Sequence, residues 1–187
     1  MTLILFNKPF GVICQFSPHA SRPCLADFLK HPGIYPAGRL DADSEGLMLL
    51  TDDGSLQQKI SHPKHEKSKT YLVQVEGLAQ PAQLARLRSP MQLNDFTTRD
   101  CKAVRIQPPH WLWPREPPVR ERPTIATDWL ALTLTEGKNR QVRRMTAAVG
   151  LPTLRLVRQS IGPVSLATHP LLPGEWCEID PAAWPGD

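Results

Sequence analysis

Apolar residues come along this chain in short bursts, and the spacing inside each burst predicts its shape. Residues 3–6 are an uninterrupted apolar run of strand length, broken by the turn NKPFG, and 47–51 are a second such run. KTYLVQVEG at 69–77 alternates instead, with Tyr71, Val73 and Val75 on one side and Leu72, Gln74 and Glu76 on the other. That period predicts a strand with one mixed face. Residues 129–135 alternate in the same way, and 102–107, 154–158 and 175–179 complete the predicted strands, with Pro173-Gly174 as a turn before the last. Helical patterning is sparser. It covers 25–30, ended by His31-Pro32-Gly33; 55–61, stopped by Pro63; 80–88; and 139–149. In the last, Asn139 is the expected N-cap and Gly150 stands where a C′ glycine belongs. Strands dominate and no β-α-β rhythm appears. The expectation is an α+β fold with a mixed, mainly antiparallel central sheet, flanking helices and loops, and a cleft across the sheet.

Residues 108–127, PPHWLWPREPPVRERPTIAT, break every period, and predict a long loop inserted between strands. Composition adds little beyond this. At 187 residues, 41% hydrophobic and 21% charged, the chain suits one globular domain over 1–187, subdivided around the cleft. Proline is the outlier: twenty is about twice the usual share. Cys14, Cys24, Cys101 and Cys177 lack metal-finger spacing and suit reduced thiols in the cytoplasm. Pro63 interrupts the His62/His65 pair, which argues against a helical zinc site. The four apolar residues at 3–6 are too few for a signal-peptide core, and no segment is long enough to be expected to span a membrane.

The net charge of +4 conceals a local asymmetry. Between Lys138 and Arg158 stand six basic residues and no acid. On the predicted 139–149 helix, Val142, Met145 and Val149 share a core face, and Arg140, Arg143 and Arg144 share another. A face of arginine without paired glutamate suits phosphate better than plain solvation. In the 108–127 loop, Trp111 and Trp113 are interleaved with Arg115, Arg120 and Arg122. Such a loop could stack on unpaired bases, or its tryptophans could pin it to the body; the pattern is even between the two.

The opposite charge gathers in GRLDADSEGLMLLTDDG at 38–54. Asp41, Asp43, Glu45, Gly46 and Asp52 fall at calcium-loop positions, yet the run 47–50 is apolar and the flanks are not helical, which argues against calcium. The alternative is a turn at the mouth of a buried strand, where a half-desolvated carboxylate can act as nucleophile or base. Asp43 and Glu45 are expected as solvated turn residues. Residue chemistry alone does not single out Asp41 among its neighbours.

A resemblance does. GRLDADSEGLMLLTDDG is similar to the catalytic motif of the pseudouridine synthases, in the branch acting on bacterial ribosomal RNA. NKPFGV, KTYLVQVEG, EGKNRQVRRM and LLPGEW resemble that family's other motifs, in its order and across nearly the whole chain. The insertion WLWPREPPVRER resembles that of a member without the S4 RNA-binding domain, and none is expected here. NDFTTRDCKA, from residue 94, departs from the family pattern. The resemblance implies that Asp41 is the catalytic aspartate, Tyr71 the tyrosine packing on the target base, and Arg143 the arginine pairing with Asp41. It implies isomerisation of a uridine in 23S ribosomal RNA, free or in an assembling large subunit, by a cytoplasmic monomer using no cofactor or metal. Lys8, Arg39, Lys69, Lys138, Arg140, Arg144, Trp113 and Arg115 are the expected RNA contacts. The rivals are an inactive RNA-binding module in ribosome assembly, against which the presence of Asp41, Tyr71 and Arg143 argues, and a calcium-binding domain.

Overall fold

The two unbroken apolar runs become neighbouring strands inside one sheet. In the computed structural model, which describes residues 1–184, β1 (Leu3–Lys8) and β3 (Glu45–Thr51) pair antiparallel from Leu3 opposite Thr51 to Lys8 opposite Gly46. Both faces of this pair are covered, so neither strand needs polar residues on one side. Ile4, Phe6, Met48 and Leu50 enter a front core with Tyr71, Val73 and Val75. Leu3, Leu5, Leu47 and Leu49 enter a back core with Leu56, Leu72 and Trp113.

The remaining strands are β2 (Tyr35–Pro36), β4 (Lys69–Glu76), β5 (Lys102–Ile106), β6 (Thr127–Leu134), β7 (Thr153–Ile161), β8 (Val164–Ser165) and β9 (Trp176–Ile179). Their order is β5-β6-β4-β7-β3-β1-β9, with β2 on β3 and β8 on β7. Among the described residues every named pairing is antiparallel except β3 with β7, which run parallel over Glu45 opposite Val157 and Gly46 opposite Arg158. Two antiparallel halves thus meet at a short seam. Gly46 makes the seam possible: its φ is +104°, and a Cβ there would stand 2.4 Å from the Arg158 carbonyl oxygen. Beyond the seam β2 pairs with β3 instead, and the halves diverge.

The helices are α1 (Gly54–Ser61), α2 (Pro81–Arg88) and α3 (Gln141–Ala148). Asp53 starts α1 by accepting the Leu56 N–H at 2.7 Å, and Leu56 and Ile60, one turn apart, go into the back core. The helix expected at 25–30 is a single 3₁₀ turn, Leu25–Asp27. On α3, Val142 and Met145 are buried as expected. Its N-cap, however, is Arg140 in a left-handed conformation (φ 51°), not Asn139. The Gln141 N–H donates to the Lys138 carbonyl at 3.1 Å, and the Gln141 side chain accepts the Lys138 N–H at 3.0 Å. This local turn replaces a side-chain cap and carries Arg140 back toward the acidic loop.

Candidate active site

Residues 37–44 join β2 to β3, and the main chain of 41–44 is held from several directions. The Ser44 N–H donates to the Asp41 carbonyl at 3.1 Å and closes a turn. The Ala42 carbonyl accepts the Gly11 N–H at 2.7 Å and lies 3.4 Å from Lys8 Nζ. The Asp43 carbonyl accepts Arg143 Nη2 at 2.6 Å. The NKPFG turn and α3 therefore grip the same four residues.

This turn borders a cavity of about 280 Å³ that opens where the sheet halves diverge. Asp41, Tyr71, Lys69, Arg140 and Arg158 line it, with Arg39 and Lys138 exposed on its walls. Asp41 keeps 42% of its side chain exposed, whereas Tyr71 is anchored in the front core. The arrangement can hold one flat ring against Tyr71 with a carboxylate beside it.

The structure redistributes the expected ion pairs. Arg140 Nη1 lies 3.4 Å from Asp41 Oδ2, and its guanidinium takes both Asp43 oxygens at 3.1 and 2.8 Å. Arg143 does not reach the Asp41 carboxylate with an ion pair: its Nε stands 3.6 Å from Asp43 Oδ2, and its own hydrogen bond goes to the Asp43 backbone. The left-handed Arg140 reaches the carboxylates of the turn, while Arg143, three residues on, reaches its main chain. Burial pushes the Asp43 carboxyl up, but the Arg140 hydrogen bond and the charges of Arg143 and Arg140 outweigh it, and the net shift is downward. Hydrogen bonding to Asp43 in turn holds Arg140 above its ordinary value. Asp43 is thus solvated, as expected of a turn residue, but also paired, with 37% of its side chain exposed.

Glu45 departs further from expectation. It is 1% exposed, and accepts Arg155 Nε and Nη2 at 2.9 Å each. A buried carboxylate requires such partners. The pattern that suggested a calcium loop dissolves accordingly, since Asp43 faces Arg140 while Glu45 faces Arg155 behind the sheet.

Several expected RNA contacts are structural. Lys8 is fully buried and donates to the Pro9 and Val12 carbonyls at 2.8 and 2.9 Å; burial lowers its pKa to about 8. It cannot touch RNA, because the chain encloses it. Trp113 is buried in the back core, its Nε1–H donating to Glu45 Oε1 at 2.9 Å. Arg115 stacks 4.2 Å over Phe10 and donates to the Pro117 and Pro118 carbonyls, so its guanidinium is spent within the protein. Arg144 pairs with Asp95 and lies over Phe96, both from the segment that departs from the family pattern. Lys69 lines the cavity half-buried, its pKa lowered by burial and by Arg158.

Arg158 was missed as a site residue. It is buried in the cavity wall, with Nε donating to the Leu47 carbonyl at 2.8 Å and Nη1 lying 3.4 Å from the Arg39 carbonyl. Its signal was a second arginine in the predicted strand LRLVR, three residues after Arg155.

A family model described as RNA pseudouridylate synthase matches residues 2–148. The chain is 54% identical over 176 residues to ribosomal large subunit pseudouridine synthase E of Xanthomonas campestris pv. campestris, covering 93% of each. It is 54% identical over 177 residues to the protein of that name from Vibrio vulnificus, covering 95% of this chain and 74% of the relative. A solved pseudouridylate synthase superposes with a TM-score of 0.79 at 30% identity, covering 97% of this chain and 71% of the other. The acidic turn at the seam of two half-sheets, and the motifs around it, have one explanation: this chain belongs to the RNA pseudouridylate synthase family.

Proposed function

We propose that the chain converts a uridine of large-subunit (23S) ribosomal RNA to pseudouridine, as a cytoplasmic monomer, with Asp41 as the acting group and no cofactor or metal. The large-subunit substrate is supported by the names of relatives that match over most of the chain. The observation that carries the chemistry is the half-exposed Asp41 carboxylate on the wall of the cavity that Tyr71 also lines.

At about 280 Å³ the cavity is near the low end of the roughly 300–1,000 Å³ usual for small-ligand pockets. It has room for one base and none for a duplex. The uridine must therefore leave its stack, at a cost of a few kcal/mol. Stacking on Tyr71, worth about 1–3 kcal/mol, offsets much of this. The C1′–N1 bond is then exchanged for a C1′–C5 bond; the C5 hydrogen leaves and N1 takes up a proton, so the formula is unchanged. Arg140 Nη1, 3.4 Å from Asp41 Oδ2, helps to hold the direction of the carboxylate beside the base. Exposed Arg39 and Lys138 provide positive charge for the flanking phosphates.

The test is tritium release from 5-tritiated uridine in 23S RNA. Asp41→Asn is expected to retain RNA affinity and lose release. Release at the wild-type rate would move the catalytic role away from Asp41, and a target found only in small-subunit RNA would overturn the substrate.

A further inference from the structure

The 108–127 segment is the largest part of the chain that chemistry at Asp41 leaves without a role, and its aromatic residues turn inward. Trp111 and Trp113 pack together, ring centroids 6.4 Å apart, against the back core. Trp113 Nε1–H completes a buried group in which Glu45 also takes two hydrogen bonds from Arg155, whose guanidinium lies 5.8 Å from the Trp113 ring. Farther along, Glu121 accepts Gln74 Nε2 at 2.6 Å and Arg122 pairs with Glu76 at 3.2 Å. Both partners lie on β4. The segment is thus strapped across the rear of the seam.

Glu45 is the first residue of β3, four positions after Asp41, and it precedes the Gly46 contact that joins the half-sheets. Its side chain points to the rear while the Asp41 turn borders the cavity in front. Whatever fixes Glu45 fixes the end from which that turn departs.

We propose that the 108–127 segment is a positioning strut: Trp113, through Glu45, sets the location of the Asp41 turn, and the segment does not stack on RNA. This rests on the reading of Asp41 as the acting group. Glu45 keeps both hydrogen bonds from Arg155 when the indole N–H is removed, so the fold survives, but the Glu45–Arg155 pair loses its link to the strap and can shift as a unit. Because a misplacement of about 1 Å can cost about 10²-fold in rate, a smaller shift of the turn reads out in turnover and not in RNA binding.

The experiment compares wild type with Trp113→Phe, Trp113→His and Arg120→Ala, well below their melting temperatures. Trp113→Phe is expected to lower kcat roughly tenfold with KM for 23S RNA unchanged. Trp113→His, which keeps a ring N–H, should recover most of that loss. Arg120, exposed on the same segment, should change neither constant when replaced. A raised KM in Trp113→Phe, or weakened RNA binding in Arg120→Ala, would show that the segment touches RNA and overturn the strut. A lowered melting temperature with both constants unchanged would reduce Trp113 to packing and overturn it equally. Wild-type turnover by Asp41→Asn, measured separately, would sink the catalytic reading instead.

Discussion

Replacing Lys8 with methionine removes an ammonium group that lies wholly beneath the surface, donating to the Pro9 and Val12 carbonyls and reaching that of Ala42. Burial lowers its pKa from 10.5 to about 8, against the attractions of Cys14, Glu45 and Asp43. At about 1.36 kcal/mol per tenfold change in proton affinity, the protonated form is about 3 kcal/mol less favourable in the fold than in water. Between those two pH values the unfolded chain still holds this proton while the folded chain has released it. Stability therefore rises with pH from near 8 to near 10.5, and below 8 the penalty is present in full. Urea denaturation near pH 7 and near pH 10 should show wild type gaining roughly 2–3 kcal/mol relative to Lys8→Met, which has no proton to lose. The comparison cancels the other groups titrating in that window. Parallel stability curves for the two proteins would mean that Lys8 is solvated and does not support the Asp41 turn from beneath.

Two further substitutions test the seam and the turn. Gly46→Ala should cost about 3 kcal/mol or more, since a strained φ alone costs about 1–3 kcal/mol and the new methyl meets the Arg158 backbone at 2.4 Å. An unchanged thermal melt would show that the half-sheets part freely. Arg140→Ala should weaken RNA binding and lessen the slope of log affinity against log salt by about one. Because Arg140 helps to depress the Asp43 pKa, its loss should also flatten the fall in stability as pH drops below about 4; unaltered acid denaturation would deny that pair any role in the fold.

Much of the sheet could be read from local spacing. The alternation at 69–77 and 129–135 places β4 and β6 to within two residues, because period two is a property of consecutive side chains. The unbroken runs at 3–6 and 47–51 likewise locate β1 and β3, and they pair with each other. Strands β2 and β8 were not legible: each has two residues and exists only through the partner beside it. Arg140, expected to share a helix face with Arg143 and Arg144, precedes α3 as its N-cap; the phase of the other two was clear. Which guanidinium reaches Asp41 was not, since a left-handed residue at the helix start decides it.

The sequence by itself determined the strand periods, the acidic turn leading into an apolar strand, the basic run at the start of α3 and the family these motifs belong to. Tertiary structure alone decided which polar residues face the cavity and which lie within the protein. Glu45 is withdrawn from water because Arg155, 110 positions along the chain, arrives beside it, and Trp113 arrives from a loop 68 positions away. Lysine or tryptophan in a loop can serve RNA or its own core with the same local pattern. The choice depends on distant partners, and burial is a property of the assembled chain, not of the neighbours in sequence.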